Sequence, residues 1–180
     1  IIGRAKALAL FMEGKKSIAV AGTHGKTTTT SMLTVALQSL GLNPSFAIGG
    51  TINRGGTNAH LGTGDFFVAE ADESDGSFLE YRPLGAIITN IELDHVDNFP
   101  DISSVMEIFS KFVASIQPGG FLVAGVDSPK VRELLSLNKR DDLKVITFGS
   151  TNADLTYSHL ALKPAGAFAR ITHNGKVLGE

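Results

Sequence analysis

The stretch SIAVAGTHGKTTTT, residues 17–30, decides the fold. Residues 17–21 form a short run of small and β-branched apolar side chains, which suits a strand buried on both faces of a parallel sheet. Gly22 and Gly25 frame a turn. From Lys26 onward a helix is expected that buries Leu33, Ala36, Leu37 and Leu40, which recur at helical spacing, and Gly41 marks its stop. Strand, glycine-rich turn and helix together make a phosphate cradle. Glycines let backbone N–H groups face inward, and the helix N-terminus points at the anion. A lysine reaches the terminal phosphates while a hydroxyl holds Mg²⁺. Lys26 and Thr27 stand at those last two places, with Gly22, Thr23, His24, Gly25 and Thr28 completing the candidate nucleotide loop. The common spacing puts a glycine five residues before Gly25, where this chain has Val20. A tighter variant turn, with Gly22 supplying the flexibility, is therefore expected. The competing reading is a helix start that happens to contain Gly-Lys-Thr. Four successive threonines, 27–30, weigh against it, because β-branched residues are poor helix filler.

Outward from this stretch, apolar runs at 66–71, 86–91, 121–126 and 145–149 read as further strands, with a short one around 46–48. Helices are expected at 4–13, at 102–116 with Val105, Ile108, Phe109, Phe112 and Ile116 on one face, and from Pro129 to Leu137 with Ser128 as its cap. Residues 49–64 hold six glycines and few large apolar groups, so they read as a long surface loop. The pattern changes at the end. Residues 154–162 and 166–178 read as strands joined by a turn at 163–165 and by the hairpin signal Asn174-Gly175. The expected fold is α/β: a mostly parallel sheet of P-loop type flanked by helices, with a small antiparallel β appendage at the C-terminal end.

Composition agrees with a globular chain of 180 residues, 43% hydrophobic and 19% charged. The formal charge of −2 gives no basic surplus for nucleic acid. The absence of cysteine excludes disulfides, thiolate metal sites and a Cys nucleophile. The apolar run near the start is far too short for a membrane span, and no signal-peptide pattern appears. A cytoplasmic chain with no nucleic-acid or membrane partner is expected; the oligomeric state is not readable. The chain opens on Ile1 rather than Met and stops just after a strand-like segment, as expected of a piece of a longer protein.

Ligands of open parallel sheets bind beyond the carboxyl ends of the strands. Glu70 stands at such an end, after Phe66-Phe67-Val68-Ala69. Mg²⁺ takes one or two carboxylates alongside substrate phosphates and waters, so Glu70 suits a metal ligand. Asp72, Glu73 and Asp75 in the following turn are individually weaker candidates. Asn90, Asp94 and His95 lie at or beyond the end of another strand, and Asn90 is taken as a further nucleotide-site residue. By spacing alone His95 is as readily a simple polar contact as a ligand, and His24 either meets an anion or shapes the turn.

With these residues in hand, the chain resembles the Mur ligases, ATP-dependent amide-forming enzymes of peptidoglycan precursor synthesis. The resemblance rests on residues 22–28, on AEADESD at 69–75 and on NIELDH at 90–95, in order and spacing, and runs over nearly the whole chain. It implies that residues 1–180 are most of a central ATP-binding domain, its C-terminal end missing. A preceding domain for the uridine diphosphate sugar and a following C-terminal domain are implied outside the chain. ATP and Mg²⁺ are the implied cofactors. The implied chemistry activates the sugar's carboxylate as an acyl phosphate, which an amino group then attacks. AGTHGKTTTT and EADESDGSF look most like the members that use UDP-N-acetylmuramic acid and L-alanine. Relatives that attach a peptide to the same sugar acid, or glutamate to folate, share the central domain. Carried over by position, Lys26 contacts the terminal phosphates, Thr27 and Glu70 hold one Mg²⁺, and Glu70 with His95 hold a second near the acyl phosphate. A carbamylated lysine found in several relatives has no convincing match; Lys111 is the only lysine in that helix. A GTPase-type switch would need Asn-Lys-x-Asp, and residues 90–94 lack the lysine. A nucleotide-binding module without turnover is the remaining reading for the chain by itself.

Overall fold

The computed structural model describes residues 1–52, 56–74, 76–94, 97–164 and 166–179. Its elements run α1 (Arg4–Met12), β1 (Lys16–Ala21), α2 (Lys26–Ser39), β2 (Ser45–Ala47), β3 (Ala59–His60), β4 (Phe66–Glu70), a one-turn 3-10 helix (Ser77–Glu80), β5 (Gly85–Ile88), α3 (Ile102–Ser115), β6 (Phe121–Gly125), α4 (Pro129–Leu137), β7 (Lys144–Gly149), β8 (Leu155–Lys163), β9 (Gly166–His173) and β10 (Lys176–Gly179). The strands form one sheet in the order β10-β9-β8-β7-β6-β5-β1-β4-β2-β3. From β2 to β8 the neighbours are parallel; β3, β9 and β10 pair antiparallel at the two edges. The expected parallel sheet with an antiparallel C-terminal appendage is thus observed, and the appendage continues the sheet. Parallel neighbours normally need a crossover of about a dozen residues. Residues 150–154 suffice between β7 and β8 because the two overlap only at Phe148↔Leu155 and Gly149↔Thr156.

β1 lies centrally, with β4 on one side and β5 on the other, and the chain leaves it in both directions. Its carboxyl end is therefore the crevice where such sheets bind ligands. On one sheet face, Ala19, Ala21, Ala69, Ala71 and Ala86 are fully enclosed beneath α3, α4 and the 3-10 turn. There Phe78 stacks on Phe112 with ring centroids 4.7 Å apart, and Phe109 meets it edge-on at 5.9 Å. The other face packs Val68, Phe46 and Ile48 against Leu37 of α2.

Three local readings are corrected. Leu40 is 73% exposed and Ala36 is also exposed; the buried stripe of α2 is Thr30, Thr34 and Leu37. The threonines tolerate burial because Thr30 Oγ1 donates to Lys26 O at 2.7 Å and Thr34 Oγ1 to Thr30 O at 2.8 Å. Ser128 does not cap α4 with its side chain. Its hydroxyl accepts from the Ile91 N–H at 3.2 Å, tying α4 to the segment after β5. The loop at 49–64 contains the short strand β3, paired to β2 through Phe46↔His60 and Ala47↔Ala59. Among the described residues, no helix is long and apolar enough to cross a membrane.

Candidate active site

The loop after β1 has four residues, Gly22–Gly25. Val20 is completely buried within the strand, so the chain turns only after Ala21. This explains why the usual upstream glycine is not needed. Gly22 has φ +131°, and a Cβ there would stand 2.1 Å from Thr89 Oγ1 and 3.0 Å from the Asn90 carbonyl. Gly25, at φ +84°, turns the chain into α2. No side chain among the described residues caps that helix. The first-turn amides of Lys26, Thr27 and Thr28 have no intrahelical acceptor, and the helix dipole favours an anion in front of them.

The segment after β5 clamps the loop. Asn90 holds the His24 backbone with both ends of its amide: Oδ1 accepts from His24 N–H and Nδ2 donates to His24 O, both at 2.9 Å. Thr89 Oγ1 donates to the same carbonyl at 2.7 Å. Thr23 Oγ1 accepts from Glu92 N–H at 2.9 Å and Thr23 N–H donates to Asn90 O at 3.1 Å. Thr23 and Asn90 therefore set the loop's shape. The His24 ring is exposed, with Nε2 3.8 Å from a Glu92 carboxylate oxygen.

Glu70, at the end of β4, accepts from Thr27 Oγ1 at 2.8 Å and from the Gly49 N–H at 2.6 Å. The two candidate metal ligands are thus neighbours, and both are oxygens, as Mg²⁺ requires. Their separation is close to the ~2.9 Å edge of an octahedron with ligands at 2.0–2.1 Å. The donor set fits that ion, with remaining positions for phosphate oxygens and water. Among the described residues, no group of three or more His, Asp or Glu side chains could hold a metal unaided. His95 lies outside the described residues, as does Asp75. Lys111 sits on the solvent side of α3, paired with Glu107 at 2.7 Å.

Lys26 has a partner that the sequence reading ranked low. Its Nζ donates to Gly22 O at 2.8 Å, to Thr23 O at 3.3 Å and to Glu73 Oε1 at 3.0 Å. Glu73 Oε2 is also 3.0 Å away, and the two side chains are only 12% and 3% exposed. The available signal was alternation: Ala69, Ala71 and Glu73 fall on one face of an extended run, and all three are buried. A cleft of about 360 Å³ opens beside Glu70 and is lined by Arg4, Lys6, Asp72, Glu80 and Tyr81.

The Mur ligase middle domain matches residues 20–177. UDP-N-acetylmuramate–L-alanine ligase of Streptomyces griseus is 49% identical over 180 residues, covering 99% of this chain and 39% of the relative. Among solved structures, UDP-N-acetylmuramate:L-alanyl-γ-D-glutamyl-meso-diaminopimelate ligase from Neisseria meningitides superposes with a TM-score of 0.84 at 29% identity, over 98% of this chain and 58% of that one. UDP-N-acetylmuramate–alanine ligase from Thermotoga maritima gives 0.78, also at 29% identity, over 95% and 37%. The chain spans between about a quarter and two-fifths of the length of the curated relatives it matches. By the extent of these matches, this chain belongs to the Mur ligase middle-domain family.

Proposed function

We propose that this chain is the ATP-binding part of a ligase that joins L-alanine to UDP-N-acetylmuramic acid. The observation that carries the reading is the meeting of Lys26, Thr27 and Glu70 around an uncapped helix N-terminus at the central strand's carboxyl end. Lys26, the loop amides and Thr28 would hold the ATP phosphates, with Gly22 and Gly25 leaving the backbone free to approach. Thr27 and Glu70 would hold Mg²⁺, which supplies charge neutralisation on the phosphates; His95 is proposed with Glu70 for a second ion. A carboxylate oxygen of the sugar acid attacks the γ-phosphorus, the bond to the bridging oxygen breaks, and ADP leaves. The amine of alanine then attacks the acyl carbon, loses a proton, and phosphate departs. Lys26 opposes the charge on the transferring group, and the loop clamp of Asn90 and Thr23 fixes its position. The cleft beside Glu70 carries both Arg4 and Lys6 and the carboxylates of Asp72 and Glu80 on its wall.

Identities of 46% to 49% with alanine-adding ligases support L-alanine as the acceptor. The fold alone does not choose, since the peptide-adding and alanine-adding structures are both 29% identical to this chain. With no partner domain to hold sugar acid and amine together, the chain alone is expected to bind nucleotide without forming amide. The test is calorimetric titration with ATP, with and without Mg²⁺, on the wild type and on Lys26→Ala. Mg²⁺-dependent binding lost in the variant supports the reading. Equal titration curves for both proteins would refute it, and amide formation by the chain alone would refute the predicted inactivity.

A further inference from the structure

All three N–H bonds of the Lys26 ammonium are occupied, two by loop carbonyls and one by Glu73. Glu73 in turn depends on that lysine. It is 2% exposed, and its Oε2 has no hydrogen-bond donor, only the ammonium charge at 3.0 Å. The backbone that carries the carboxylate is held on both sides. Ala71 N–H donates to Val20 O at 2.9 Å before it, and Gly76 N–H donates to the Glu73 carbonyl at 3.0 Å after it. Phe78, wholly buried against Phe109 and Phe112, anchors the 3-10 turn on the far side. We propose that Glu73 is a built-in counter-ion for Lys26 that the phosphates of the nucleotide must displace. This rests on the nucleotide-binding reading above and adds a residue to it. Without nucleotide, Glu73 pairs with the lysine and the loop carbonyls hold it against its own loop. A phosphate that claims the ammonium leaves a buried carboxylate without its partner, which is costly. The exchange therefore weakens nucleotide binding, and it couples occupancy of the loop to the segment 71–74.

The experiment measures ATP binding with Mg²⁺ for the wild type, Glu73→Gln and Lys26→Ala, with thermal melting of the empty and loaded proteins. Glu73→Gln removes the competing charge at constant shape. Its Kd is expected to fall about tenfold or more. The empty variant should melt lower than wild type, because Lys26 loses its counter-ion, and ATP should raise its melting point by more than it raises that of wild type. Glu73→Asp keeps the charge but draws it back by one methylene; its Kd should fall between the two, and it decides the matter should the glutamine variant not fold. Wild-type binding with a Kd in Glu73→Gln that is unchanged or weaker would overturn the exchange alone, leaving Glu73 as a support for Lys26. No binding by wild type and variant alike would overturn the nucleotide site and the exchange with it.

Discussion

Thr27 Oγ1 and Glu70 Oε1 lie 2.8 Å apart, joining the first turn of α2 to the end of β4. The hydrogen bond holds two oxygen ligands side by side. Glu70→Gln keeps one oxygen to accept from the Gly49 N–H and an NH₂ that can donate to the Thr27 hydroxyl, and it removes the charge. It is expected to fold normally, to bind metal-free ATP at least as well as wild type, and to lose the gain from Mg²⁺ by about tenfold or more. Thr27→Val should show the same loss from the other ligand. Titrations at several Mg²⁺ concentrations check this, and an undiminished Mg²⁺ effect in both variants would remove the pair from the metal site.

Gly22 meets a different constraint. Its φ of +131° is strained for any side chain, and a methyl group would collide with Thr89 Oγ1, which itself holds the His24 carbonyl at 2.7 Å. Gly22→Ala must therefore distort the backbone, break the Thr89 bond, or both. A destabilisation of about 3 kcal/mol is expected from strain and overpacking together, with loss of ATP binding even where the fold survives. Gly25→Ala, where nothing lies within 4 Å of the added carbon, should carry only the cost of its positive φ. Urea unfolding of the two variants gives the comparison, and equal losses would mean that the close approach to Thr89 is unimportant.

The loop, its lysine and the strand-end Glu70 were legible because each is announced locally, by glycine spacing, residue type and an apolar run ending in a charge. The parallel sheet was legible for the same reason, from short apolar runs alternating with helical periods. What escaped depends on pairings distant in sequence. Asn90 reads as a site residue from its place at a strand end, but the clamp that its amide makes on the backbone of His24, 66 positions away, is not visible in the sequence. The low rank of Glu73 came from its place in an acidic turn, where a carboxylate usually faces water; only the partner across 47 positions accounts for its burial. The buried threonines of α2 misled a reading by hydrophobicity, because hydrogen bonds to the preceding turn let Thr30 and Thr34 occupy core positions.

The extended end of the sheet leans on one carboxylate whose protonation is measurable. Asp127, just after β6, accepts from Ser150 N–H at 2.9 Å, from Ser150 Oγ at 2.8 Å and from Tyr157 Oη at 2.9 Å, so it fastens the β7–β8 link. The Ser150 N–H, helped by both hydroxyls and by the charge of Arg132, holds its carboxyl below the usual carboxylate range. The folded chain then binds fewer protons than the unfolded chain between the two pKa values. The stabilisation is fully present above the unfolded value of about 4 and is lost as pH falls through the lower folded value. Asp127→Asn removes the charge and should cost about 1 kcal/mol at neutral pH, the site being largely exposed. Urea unfolding of wild type and variant from pH 7 down to about pH 2.5 separates this group from the other carboxylates, which both proteins share. The stability gap should hold constant to about pH 5 and close steadily below pH 4; a gap independent of pH would mean that Asp127 acts here by shape alone.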